Sequence, residues 1–147
     1  MTLYTSLPVF TQAVVDRVDA GKVGIGVKKV TYGIQNLIES FPQVAVEGQN
    51  KSRELVGTHK FRISFTIGLM IYHEKLQDQS ITKKQAEQFA EAVEALLTTP
   101  DRTFGAPPNQ GVIFSWVARI DPGIAQQGSV MLRSTRIILE AESRETF

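Results

Sequence analysis

The stretch that decides the fold is "FRISFTIGLMIY", residues 61–72. Phe61, Ile63, Phe65, Ile67, Leu69 and Ile71 alternate with Arg62, Ser64, Thr66, Gly68, Met70 and Tyr72. That period of two marks a β-strand with one face in the core, because successive side chains point to opposite faces of a sheet. The other face is mixed. Met70 and Tyr72, with Ile113 and Val117 on the second face of another strand, are more apolar than a wet surface usually is. Part of that sheet face is therefore expected to be covered, either by a helix of the same chain or by another subunit.

Upstream, Val44 and Val46 predict a shorter partner strand. Between it and the long strand, "EGQNKSRELVGTHK" (47–60) is polar and punctuated by glycine, as expected of a long exposed hairpin connection carrying Lys51, Arg53 and Glu54. At the start of the chain, Thr5 and Ser6 precede Leu7-Pro8, a helix start signal. Val9, Phe10, Ala13, Val14 and Val18 then share a helical face, which predicts a helix over 7–20 stopped by Gly21. In "KVGIGVKKVTYG" (22–33), the alternation of Val23, Ile25 and Val27 suggests a brief strand or extended arm.

Downstream, Thr82 and Gln85 match a capping box, with Ile81 placed to staple onto the first turn. Ala86, Phe89, Ala90, Val93, Leu96 and Leu97 form an apolar stripe opposite Lys84, Glu87, Gln88, Glu91 and Glu94, and Pro100 stands just past the helix end. "DRTFGAPPNQG" (101–111) is expected to be loop, since Pro107-Pro108 continues neither a helix nor a central strand. In the next strand Val112, Phe114, Trp116, Ala118 and Ile120 form one face, and "DPGIAQQGS" (121–129) is expected to turn at Pro122-Gly123.

The closing strand, "VMLRSTRIILEAESRETF" (130–147), has one face that changes from apolar to charged: Val130, Leu132, Ser134, Arg136, Ile138, Glu140, Glu142, Arg144. Its other face carries Met131, Arg133, Thr135, Ile137, Leu139 and Ala141. Helix, short strand, hairpin, helix, hairpin is the order of an α+β fold. It predicts an antiparallel sheet of about four strands with two helices packed on it, in one domain spanning 1–147.

A chain of 147 residues buries roughly two thirds of its unfolded surface, enough for a self-sufficient core. With no cysteine, there is neither a disulfide framework nor a thiolate metal site. Sixteen Lys and Arg against fifteen Asp and Glu leave the chain nearly neutral, which disfavours tight general binding to nucleic acid. Near neutrality also removes one guard against self-association. No window approaches the ~20 apolar residues of a membrane span, and "MTLYTSLPVF" lacks a basic, signal-like start, so a soluble protein is expected.

The chemistry-bearing residues form no catalytic pattern. Gly21 and Gly26 have the spacing of a phosphate loop, but Val27 stands where the lysine is needed and Lys28 where the hydroxyl is needed. His59 and His73 flank a strand that places them more than about 40 Å apart, which predicts two surface histidines at strand ends rather than a shared metal site. No serine lies in Gly-x-Ser-x-Gly. Glu140 and Glu142 share a strand face, as paired acid catalysts do, but Arg136 and Arg144 flank them, and a solvated or interface-facing strand end is the stronger reading. Neither catalysis nor a cofactor is expected. The remaining enzymatic alternative, a small α+β ligand-binding domain, would use Tyr72, His73 and Glu74.

Three blocks taken in order resemble one family: "VTYGIQNLIESFPQVAVEG", "KSRELVGTHKFRISFTIGLMIYHEKLQDQSITKKQAEQFAEAVEALL" and "ARIDPGIAQQGSVMLRSTRIILEAESRE". The family is the tail terminator, tail-completion or neck proteins of long-tailed bacteriophages. The resemblance rests on the succession of a Tyr-Gly segment, a Pro-Val strand, a long strand ending in Ile-Tyr-His, a helix ending in Leu-Leu, and an Asp-Pro-Gly stretch before an Arg-bearing last strand. It covers about two thirds of the chain.

The resemblance implies a virion protein made in the host cytoplasm, a hexameric ring at the head-proximal end of the tail tube. Such a ring ends tube polymerisation and docks the head-completion proteins. Its partners would be the tube protein, neck proteins, DNA passing through the lumen without specific binding, and the sheath if the tail is contractile. The alternatives within the class are a head–tail adaptor, a stopper or a tube-like protein. The expected subunit or partner contacts are Lys51, Arg53, Glu54, Arg133, Arg136, Glu140, Glu142 and Arg144.

Overall fold

The computed structural model describes residues 6–34, 38, 40–98 and 114–146. Helix α1 spans Leu7–Ile25 and α2 spans Lys83–Thr98. The strands are β1 Lys29–Tyr32, β2 Gln43–Gly57, β3 Lys60–Lys75, β4 Phe114–Gln127 and β5 Val130–Thr146. They form one five-stranded sheet in the order β1-β2-β3-β5-β4. The fold is α+β as expected, with one strand more than expected and one parallel pair, β1 with β2. Thr5, the Pro100 stop, the 101–111 loop, and Val112 and Ile113 lie outside the described residues.

The alternation in β3 sets the core. Ile63, Phe65, Ile67, Leu69 and Ile71 are all buried on the helix side. Their neighbours there are Val44 and Val46 of β2, Ile137, Leu139 and Ala141 of β5, and Phe10, Val14 and Val18 of α1. The Phe10 and Phe65 rings lie 5.1 Å apart. Each of these large side chains contributes roughly 1.5–3 kcal/mol by leaving water, so this layer dominates stability. Helix α2 adds Ala86, Ala90, Val93 and Leu97 from the predicted stripe, with Phe89 packed at its margin. Its capping box forms in both directions: Thr82 N–H donates to Gln85 Oε1 at 2.8 Å and Gln85 N–H to Thr82 Oγ1 at 3.1 Å.

Four expectations change, each for a physical reason. Helix α1 does not stop at Gly21 but runs to Ile25, so Val23 and Ile25 are helical and the strand begins only at Lys29. Gly21 serves helix packing instead: a Cβ there would lie 2.6 Å from Leu96 Cδ2. The stop is Gly26, whose φ of 84° takes the left-handed conformation while Val27 N–H donates to the Lys22 carbonyl at 2.9 Å.

Residues 47–57 are not loop but the second half of β2, paired with β3 down to a two-residue turn at Thr58 and His59. They look polar because most of them are exposed, and burial is what imprints an apolar alternation. Strand β4 runs straight through Asp121-Pro122-Gly123 and turns at Gly128-Ser129. Pro122 is tolerated because β4 is an edge strand, whose outward N–H positions need no partner.

A bulge between Val117 and Arg119 also divides β4. Ser115 and Val117 face the helices before it, and Ile120 returns to that side after it, leaving Phe114 and Trp116 stacked 5.8 Å apart on the opposite face. The single face expected for Phe114, Trp116 and Ile120 is thus split by one extra residue.

Candidate assembly surface

Among the described residues, the second face of the sheet is covered at one end and half-exposed at the other. At the covered end, Ile38, Ala45, Tyr72 and Leu132 form a small core with Phe41 and Met70 packed against it, and Ile38 N–H donates to Gln127 Oε1 at 2.9 Å. The cover expected over Met70 and Tyr72 is therefore the chain's own β1–β2 connection. At the other end, β1 stops opposite Val46, and β2 from Gln49 onward is exposed. Strands β2, β3 and β5 continue there, among the described residues, as a three-stranded ribbon whose other face still buries Ile63 and Phe65.

On this ribbon the register brings charged residues into a row across the strands. Glu54 is opposite Arg62, and Arg62 is opposite Arg144. Arg62 Nη1 lies 3.5 Å from Glu54 Oε2, Arg62 Nε 3.3 Å from Glu142 Oε1, and Arg144 Nη2 2.9 Å from the same Glu142 oxygen. Arg53 occupies the opposite face, where it meets Glu145 Oε1 at 3.3 Å and lies 5.3 Å from the centre of the Phe61 ring. Lys51 is exposed on that same face, in register with Phe65. Pairs that keep this much contact with water contribute about 0–1 kcal/mol each, so they set local geometry more than stability.

Of the eight expected contact residues, Lys51, Arg53, Glu54, Glu142 and Arg144 thus gather on the ribbon, on its two faces. Arg136 and Glu140 lie midway along the second face. Arg136 separates two open depressions of about 230 and 450 Å³, the second also lined by Glu140. Arg133 belongs elsewhere, facing the helix side at the far end of the sheet, with Nε 3.9 Å from Glu74 Oε1. Arg62, Phe61 and Glu145 were missed, and the signal that identifies them is the β2–β3 register, invisible while 47–60 is taken for loop.

His73 is not the surface residue expected. It continues the inward alternation of Ile63 to Ile71, and there Nε2 shares a 2.8 Å hydrogen bond with Thr135 Oγ1 and the ring meets Phe89 edge-on. Burial, then the Arg133 charge, lowers its pKa to about 4, so the ring is neutral at pH 7. Glu74 is also buried. It accepts from Ser80 N–H at 2.9 Å, from the Ser80 hydroxyl and from Ile81 N–H at 3.3 Å. Burial opposes its ionisation, but the Ser80 and Ile81 donors and Arg133 outweigh it and hold the carboxyl below its usual range. Tyr72 faces the other side of the sheet, where burial and Glu47 raise its pKa. The three groups do not converge on one site. Among the described residues, no cluster of His, Asp or Glu has metal-binding geometry, and no helix is long and apolar enough to cross a membrane.

No family model matches the sequence, and no curated protein matches it. Among solved structures, a chain from the virion of a native gene transfer agent particle superposes at a TM-score of 0.66. The match covers 97% of this chain and 99% of that one, with 12% identity. A second solved chain, 17% identical over 97% of this chain and 98% of its own, reaches only 0.44 and adds no argument. At these identities the likeness is one of fold: this α+β architecture, over nearly its whole length, is also that of a chain in a virion.

Proposed function

We propose that the protein is a structural component of a phage-like virion, specifically a ring-forming tail terminator that caps the head-proximal end of the tail tube. The observation that carries this reading is the near-complete mutual coverage with the gene transfer agent virion chain. An isolated motif shared with an unrelated protein would not extend over the whole of both chains. The family resemblance of the three sequence blocks supports the finer role, and so does the charged ribbon.

A ring needs two different, complementary patches on each subunit. The ribbon's mixed charges supply one that fixes register and rejects wrong partners more than it adds affinity. A ring ends polymerisation by matching the tube on one side and offering a different surface, fitted to neck proteins, on the other. A nearly neutral chain lines a DNA passage without gripping phosphate.

The test is to mix the purified protein with tail tubes and image the mixture by negative-stain electron microscopy. Six-fold caps at one tube end are expected, together with capture of tube protein in a pull-down. Capture of portal complexes without tube would favour an adaptor or stopper, and unlimited self-stacking a tube-like protein. A chain that never oligomerises and ignores tube ends would overturn the reading.

A further inference from the structure

At the end of the sheet opposite the ribbon, a groove of about 250 Å³ opens between the first turn of α2 and the β4–β5 hairpin. Lys83 and Ala86 form its helix wall, Pro122 and Ile124 its strand wall, and Arg133 reaches in from β5 in register with Ile124. Ligand pockets run to roughly 300–1,000 Å³, so this one has room for a side chain or two. Ile124 is 58% exposed at the mouth.

The groove lacks an acceptor. The Arg133 side chain is only 27% exposed, its Nε is buried, and among the described residues none of its N–H groups makes a hydrogen bond. The nearest carboxylate, Glu74 at 3.9 Å, is already taken by Ser80 and Ile81. Leaving a guanidinium partly desolvated without an acceptor is costly, and a second carboxylate is its best partner because the bonds are charge-assisted. What completes the groove therefore carries an acid next to an apolar side chain.

The chain itself offers that pair. Among the described large apolar residues exposed on the surface, Leu55 alone follows an acid in sequence, Glu54. Leu55 is 61% exposed, and Val56 beside it is exposed too. The contact of Glu54 with Arg62 is long, 3.5 Å, and open to water, and Arg62 keeps Glu142 when Glu54 leaves. Glu54 and Leu55 stand near the ribbon's tip. From Arg62, opposite Glu54, to Glu74, opposite Arg133, β3 extends about 40 Å, so no subunit's tip reaches its own groove.

We propose that the ribbon tip of one copy enters this groove on the next, with Glu54 bound by Arg133 and Leu55 packed on Pro122 and Ile124. Glu54 and Leu55 point to opposite faces of β2, and a tip entering end-on presents both. Lys60, exposed at the tip, meets Glu87 on the helix wall. The contact joins two different patches at opposite ends of the sheet, so copies associate head to tail and close where the rotation allows. It rests on the ring reading and supplies the second patch that a ring subunit needs.

The chain has no cysteine, so two exposed positions can serve as reporters. Leu55→Cys and Ile124→Cys are purified separately, checked for unchanged thermal melts, mixed, added to tail tubes and mildly oxidised. A disulfide needs Cα atoms within about 7 Å, so bridges between the two variants are expected at least about tenfold over bridges within either. The chain carrying both substitutions is expected to bridge copy to copy up to closed rings. Bridges random among the variants, or absent from rings that electron microscopy shows on the tubes, overturn the groove contact and leave the ring reading standing. Bridged oligomers that ignore tube ends support the contact and overturn the terminator role. A chain that stays monomeric with and without tubes overturns both. Sedimentation of Glu54→Gln, Arg133→Gln and the double variant tests the chemistry. Each single change is expected to weaken association about tenfold, and the double variant no further, because all three lose the same bond. Losses that multiply in the double variant overturn the pairing of Glu54 with Arg133.

Discussion

Strand β3 passes through two different environments within sixteen residues. From Ile67 to Glu74, all but half-buried Met70 are buried, with α1 and α2 on one side and the Ile38–Tyr72 cluster on the other. From Lys60 to Thr66 it belongs to the ribbon, where Ile63 and Phe65 remain buried while Lys60 and Ser64 face water. The covered half has the apolar content to hold a fold together. The ribbon half buries Ile63 and Phe65 on one face and carries half-exposed salt bridges on the other, and those salt bridges hold little. An ordered charge row that adds little stability is what the proposed assembly contact would use. Substitutions in the two halves should therefore separate folding from assembly.

The largest effect belongs to the covered half. Leu69 is fully buried between helix and sheet, so Leu69→Ala removes apolar contacts and leaves a cavity. It is expected to cost about 2–5 kcal/mol in denaturant unfolding. A loss below about 1 kcal/mol would mean that the helices do not pack on β3 as described.

The next effect depends on pH. His73 is neutral when folded, with its pKa lowered from 6.5 to about 4, so between those values the unfolded chain binds a proton that the folded chain refuses. Stability is full above pH 6.5 and falls as the pH drops towards 4, by on the order of 2 kcal/mol after discounting for water near the ring. Glu74, also lowered, acts in the same direction: its contribution is present above the usual carboxylate pKa and fades as pH falls through its folded value. The urea midpoint measured from pH 7 to pH 4 should fall, and His73→Gln should flatten the upper part of that fall. A profile unchanged by the substitution would place the loss on other groups.

A smaller effect is expected at the start of α2. Thr82→Ala removes the hydroxyl that accepts from Gln85 N–H and leaves the Thr82 N–H bond to Gln85 Oε1 in place, at a cost of about 1 kcal/mol in thermal or urea unfolding.

This contrast also accounts for what was legible in the sequence. The buried parts of β3 and β5 and the stripe of α2 could be read because water exclusion forces an alternation of two or a stripe near 3.6. The capping box is local chemistry and was read residue by residue. The outer half of β2 could not be read, because a strand in water on most of its surface has no reason to alternate. Pro122 and Gly21 misled for a different reason: both are breakers in isolation, and only the edge position of β4 and the approach of Leu96 make them compatible with a strand and a helix. The same limit governed the candidate site. Glu142 and Arg144 were found from charge near a strand end, and Arg53 and Glu54 from a charged stretch taken for loop, whereas Arg62, which ties Glu54 to Glu142, needed the register.

The smallest stability effect and the most informative outcome lie on the ribbon. Among the described residues, the ion pair of Arg144 is with Glu142, and Arg62 remains beside that carboxylate when Arg144 is changed. Arg144→Glu therefore sacrifices one exposed pair and adds one repulsion, and the unfolding midpoint should move by less than about 1 kcal/mol. In the proposed assembly the same residue sits on the surface offered to another chain, where a reversed charge is set against a fixed partner and costs register as well as attraction. The expected outcome is a folded protein with a normal melt that caps tubes poorly. The double variant with Arg136→Glu is expected to be worse in assembly and little worse in melting. If the double variant unfolds outright while its folded fraction still assembles normally, the ribbon charges belong to the fold, and the distinction between the two halves of β3 collapses.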